Sequence, residues 1–214
     1  MSKREISPVE TRKDKERTYI YHLERYKKAM QNGFYYESII IVYSMIEDRL
    51  RSFLYHTGCL ASEKSYKIDS EKTKSDIKKI VSTYKESNEN DQLGITSITG
   101  KAKIVSCIIK FSIDESENMG NNLYLTTLKE RLCKRVNPKE VLETLEELKM
   151  WCKYRNEIIH ALMNKNIESL QEKLESKVKQ GMTIARKIDS FVAKIKRQDV
   201  IRKAANLKIE KQKL

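Results

Sequence analysis

One short segment of the chain carries the residue types that acid–base chemistry on a phosphate would need: Arg155-Asn156-Glu157-Ile158-Ile159-His160. An imidazole can take up and return a proton near neutral pH. A guanidinium presents a planar fork of donors to anionic oxygens. Asn156 and His160, four apart, share a helical face. Arg155 and His160, five apart, stand about 140° from each other on an unbroken helix at roughly 100° per residue. Both can address one small group only if the helix is disturbed between them, or if a second copy of the chain brings its own pair to the same place.

The helix that must position them opens at Asn137-Pro138, with proline in the first turn. Its apolar stripe runs Val141, Leu145, Leu148 and Cys152, and the next positions on that line are Arg155, Ile159 and Leu162. Arg155 therefore stands where a core residue is expected. A buried charge without compensation is costly, so it should pair with a carboxylate or face a cleft or an interface. Glu47, beside the stripe of an earlier helix, is a candidate supporting partner; it can equally form an i,i+4 surface pair with Arg51.

The pattern Arg155-Asn156-x-x-x-His160, late in a helical and basic chain, resembles the Rx4–6H motif of HEPN domains. The layout is similar too: a tyrosine-rich first helix, a long second helix with an internal carboxylate at Glu47, and a late helix bearing the motif. The resemblance implies a helical bundle that pairs with a second copy, and a metal-independent endoribonuclease of toxin–antitoxin or phage-defence type. His160 would then be the acid/base residue, Arg155 the phosphate-binding cation and Asn156 a positioning group. RNA would be the substrate and a neutralising antitoxin protein a possible partner, with no cofactor and no metal. The alternative that the resemblance leaves open is a non-catalytic HEPN-like module that dimerises and binds RNA or protein. Leu162 stands where one subfamily has tyrosine two residues after the histidine.

The bulk properties agree with a helical fold. The 214 residues include two prolines and six glycines, with charged residues at 34% and hydrophobic ones at 39%, too apolar for a disordered chain. Apolar residues recur at three- and four-residue steps through Tyr19–Met30, Ile39–Leu54, Ile77–Tyr84, Ile104–Ile109, Leu125–Leu132 and Ile167–Ile195. The last of these predicts a long amphipathic C-terminal helix, which would also suit a coiled-coil scaffold. Thr99 is the expected N-cap of the fourth helix; Thr99-Gly100-Lys101 lacks the upstream glycine and following hydroxyl of a phosphate loop and reads as a helix start. The expected organisation is an all-α antiparallel bundle over 18–197, with a basic arm at 1–17 and a basic tail at 198–214.

The formal net charge is +13, of which residues 1–30 hold nine basic and five acidic side chains and residues 193–214 eight basic and two acidic. Such an excess points to a polyanion, most often nucleic acid. Lys194, Lys196, Arg197, Arg202, Lys203, Lys208, Lys211 and Lys213 could grip RNA phosphates or form a solvated helix end. Cys59, Cys107, Cys133 and Cys152 show no ligand or disulfide spacing, as expected of a reducing cytoplasm. The charged N-terminus offers no secretory leader, and no apolar run approaches the roughly 18 residues of a membrane span.

Overall fold

The computed structural model describes residues 11–63, 67–68, 70–90, 92–116, 122–161, 167–197 and 201–205, with the side chains of 12, 161 and 167–172 left aside. They form α1 (Arg12–Gln31), α2 (Tyr35–His56), α3 (Glu71–Tyr84), α4 (Ile98–Ile113), α5 (Leu123–Leu132), α6 (Pro138–Ala161) and α7 (Ile167–Lys196), followed by a helical turn at 201–205. Among the described residues there is no β-strand, only an isolated bridge between Leu60 and Ile68. The chain is all-α, and no described helix is long and apolar enough to cross a membrane.

Local chemistry sets most helix ends. Ser70, Ser97 and Asn122 each accept a backbone N–H from the first turn of α3, α4 and α5, and the Asn137 side chain accepts from Lys139 and Glu140 at the start of α6. The cap of α4 is Ser97 rather than the expected Thr99. Helix α1 begins at Arg12 rather than near Thr18, because Thr11 and Asp14 form a reciprocal capping box that the apolar pattern does not register. Part of the expected 1–17 arm is therefore helix.

Contacts between helices show their directions. Tyr35 reaches Glu175 and Arg49 reaches Asp189, so α2 and α7 run parallel across the largest interface in the molecule. Trp151 donates to the Lys177 carbonyl at 2.8 Å and Lys187 pairs with Glu147 at 3.0 Å, so α6 and α7 are antiparallel. An antiparallel bundle was expected; α2 and α7 instead run parallel, and α7 starts at the same end as α2. Leu174, Val178, Met182, Ala185, Ile188, Val192 and Ile195 are all buried in the common core with Val42, Ile46, Leu50 and Trp151. From Leu174 onward the stripe of α7 is packed inside the bundle rather than free to pair as a coiled coil. The cysteines are free thiols, three of them buried.

The C-terminal turn also belongs to the core. Ile201, Ala204 and Ala205 are buried, and Gly58 has φ +80°, which favours glycine. A Cβ at Gly58 would lie 2.9 Å from both Ala205 and Tyr124. Arg202, expected in a phosphate-gripping tail, is 7% exposed. It donates to the carbonyls of Leu60 at 2.6 Å and Ala61 at 3.1 Å and stacks over Tyr55. Lys208, Lys211 and Lys213 lie outside the described residues.

Helix α1 is fastened to α2 by a polar network. Tyr19 donates to Asp48, Lys15 bridges Asp48 and Glu63, and His56 Nε2 lies 3.1 Å from Glu63. The hydrogen bond from His56, with Lys15, outweighs partial burial and holds the Glu63 carboxyl at about 2, against an ordinary 4.5. A carboxylate held low contributes stability that is complete above its unfolded value and lost as pH falls through its folded one. The unfolding free energy from urea titrations should therefore decline on acidification from about 4.5 towards 2, and Glu63→Gln should flatten that part of the profile.

Candidate functional site

Helix α6 is continuous from Pro138 to Ala161 and contains Arg155, Asn156 and His160 without a break. The disturbed-helix solution is thus absent, and the angular separation of about 140° between Arg155 and His160 stands. The buried line Val141, Leu145, Leu148 and Cys152 shifts at this level to Trp151 and Ile158, leaving Arg155 half-buried at the core edge and Ile159 exposed. Leu162 lies outside the described residues.

Arg155 does not find a carboxylate among the described residues. Its guanidinium carbon sits 4.2 Å from the centre of the Tyr43 ring, a cation–π geometry. One terminal nitrogen donates to the Asn156 side-chain oxygen at 3.2 Å. Its Nε is buried with no hydrogen-bond partner among the described residues. A guanidinium held by a ring and a neutral amide keeps its full charge and much of its donor capacity for an anion. Burial pushes the neighbouring Cys152 thiol up to about 11, only partly opposed by Arg155, so that cysteine is no nucleophile.

Asn156 and His160 are both exposed on the outer face of α6, and His160 makes no hydrogen bond among the described residues. The helix thus brings Asn156 to Arg155 and leaves His160 apart.

Glu47 does not support Arg155. Its carboxylate lies 2.9 Å from Nζ of Lys101, whose side chain is 0% exposed. Arg51 donates to Asp48 at 2.8 Å. Tyr43 and Glu47 are four apart on α2, so one face of that helix holds the α6 arginine through a ring and the α4 lysine through a carboxylate. Neither Tyr43 nor Lys101 was expected from the sequence as part of the site. Tyr43 reads there as one member of an apolar stripe, and Lys101 as a first-turn helix residue.

A cavity of about 130 Å³ lies between the end of α3, α4 and α6, reaching Cys152 but not Arg155. Its Lys149 is tied to Glu86, and Lys85 and Lys103 to backbone carbonyls of the 89–92 loop. Among the described residues no three His, Cys, Asp or Glu side chains converge as metal ligands. No protein-family model, curated protein or solved structure matches the chain.

Removing one member of a buried ion pair leaves the other charged and desolvated, whereas replacing both with apolar groups is often neutral. Glu47→Ala should therefore lower stability by about 3 kcal/mol at most, since Glu47 retains some exposure. Glu47→Leu combined with Lys101→Met should recover most of that loss in thermal unfolding.

Proposed function

We propose that the chain is a metal-independent endoribonuclease of HEPN type that works as a homodimer. The observation that carries the reading is the state of Arg155: a half-buried guanidinium without a carboxylate among the described residues, beside the exposed Asn156, with the exposed His160 five residues further along the same helix. The cation is placed but not neutralised, which is what a phosphate-binding residue requires.

RNA supplies its own nucleophile. Attack of the 2′-hydroxyl on the adjacent phosphorus needs a base to accept the hydroxyl proton and an acid to protonate the departing 5′-oxygen. Imidazole serves for either. The charge developing on the phosphorane is stabilised by a guanidinium already oriented towards it. The products are a 2′,3′-cyclic phosphate and a 5′-hydroxyl. DNA, lacking the 2′-hydroxyl, is spared.

The unbroken α6 supports a homodimer within this reading. One chain cannot aim both groups at one phosphate, so the cleft pairs Arg155 and Asn156 of one copy with His160 of another across a two-fold axis. Two equivalent half-sites follow. The setting is a toxin or phage-defence effector, with a protein antitoxin as the natural restraint.

Purified protein incubated with RNA in excess chelator should yield fragments ending in 2′,3′-cyclic phosphate. His160→Ala should slow this by about 100-fold or more, the ordinary contribution of a general acid or base. Equal cleavage by that variant would refute the assignment. Mixing and re-equilibrating inactive Arg155→Ala and His160→Ala chains should restore roughly a quarter of the activity, because half the dimers then hold one intact composite site. No recovery, with exchange verified, would count against the shared cleft. Binding of RNA without cleavage by the unmodified protein would favour the non-catalytic module.

A further inference from the structure

Helix α7 has two faces of opposite character. Residues 173–197 hold eight basic and two acidic side chains. The apolar ones other than Ala193 are buried in the core, and the outer arc is a ridge at steps of three and four: Lys179, Thr183, Arg186, Ser190, Lys194 and Arg197. Cations and hydroxyls alternate along about 27 Å at 1.5 Å per residue. Both acids are already engaged, Glu175 by Lys179 and Tyr35, and Asp189 by Arg49. Arg186, Lys194 and Arg197 form neither ion pair nor hydrogen bond among the described residues, although Lys194 lies near the Phe191 ring.

A tyrosine flanks this ridge. Tyr26 of α1 is partly buried, its hydroxyl without a hydrogen bond among the described residues. Burial raises its pKa, and the charges of Arg186 and Lys179 oppose the rise. Lys/Arg and Ser/Thr are the side chains that hold phosphate oxygens, and an accessible aromatic edge offers a stacking surface to an unpaired base. An anionic membrane fits less well. The ridge exposes no large apolar residue to insert between lipids, because the apolar arc of α7 is used up by the core.

We infer that the outer ridge of α7, from Lys179 to Arg197 with Tyr26 at its side, is a docking track for the phosphate backbone of a single nucleic-acid strand, separate from Arg155 and His160. Since α6 and α7 are antiparallel, with Trp151 level with Lys177 and Glu147 level with Lys187, the ridge runs away from the motif end of α6. A strand lying on it would be held while another part reached the motif. Naming the strand as RNA rests on the endoribonuclease reading; the track itself does not.

The test is binding of a fluorescent 2′-O-methyl oligouridylate of about 12 nucleotides, longer than the ridge and resistant to 2′-hydroxyl attack. Affinity is measured against salt concentration for the full chain, for Arg186→Gln/Lys194→Gln/Arg197→Gln, and for Lys72→Gln/Lys78→Gln/Lys79→Gln on α3. All three proteins are first matched by circular dichroism. The α7 variant should bind at least about tenfold more weakly at low salt, with the log–log salt slope reduced by about 2 for three lost contacts on a single strand. The α3 variant should bind like the unmodified chain. Absent binding, an unchanged α7 variant, or equal loss in both variants would overturn the track. So would binding only to phosphatidylcholine vesicles containing phosphatidylserine and not to the oligonucleotide. His160→Ala should bind the strand normally, so a failed cleavage assay and a failed track give different results.

Discussion

The absence of a side chain at Gly181 lets three helices meet. A Cβ there would lie 2.6 Å from the indole of Trp151 on α6 and 2.7 Å from Val42 on α2, so α7 can run between the two helices at this depth only with glycine. The indole N–H closes the junction by donating to the Lys177 carbonyl one turn earlier on α7. Arg155 follows Trp151 by one turn, and Tyr43 follows Val42 by one residue. The stacking of that guanidinium on that ring, and with it the geometry of the candidate site, follows from the close approach at Gly181.

Arg202, Lys101 and Arg155, each withdrawn wholly or partly from solvent, are compensated in three ways. Arg202 satisfies its guanidinium with two backbone carbonyls of the loop after α2 and thereby seats the C-terminal turn. Lys101 meets the carboxylate of Glu47 and ties α4 to α2. Arg155 has an aromatic face, one neutral amide and a buried nitrogen without a hydrogen bond among the described residues. The first two arrangements neutralise or saturate their cation and are explained by folding. The third leaves charge available, at a cost that a bound anion would offset. This contrast separates Arg155 from Arg202 and Lys101.

The same division shapes α7. Its apolar arc supplies the largest helix–helix interface, and its opposite arc collects basic and hydroxyl side chains, of which Arg186, Lys194 and Arg197 form no ion pair among the described residues. One helix thus serves both as the central packing element and as a charged outer edge. The basic excess counted at the chain's C-terminal end is spatially split: Lys194 and Arg197 join the outer ridge, while Arg202 turns inward.

The helical class, the approximate span of most helices and the place of Arg155 on the apolar line of α6 were legible in the chain. They arise from local spacing: apolar residues every three or four positions, Asn137-Pro138 at the start of α6, and glycine after α2. Even the errors at helix starts were local, since Thr11 and Ser97 cap through hydrogen bonds that a hydrophobic pattern does not contain. The partner of Glu47, the ring under Arg155, the inward turn of Arg202 and the parallel course of α2 and α7 were not legible. Each depends on which helices meet and at what depth. That is decided by close packing around Gly181 and by long-range matching of charges, neither of which has a signature within a single helix.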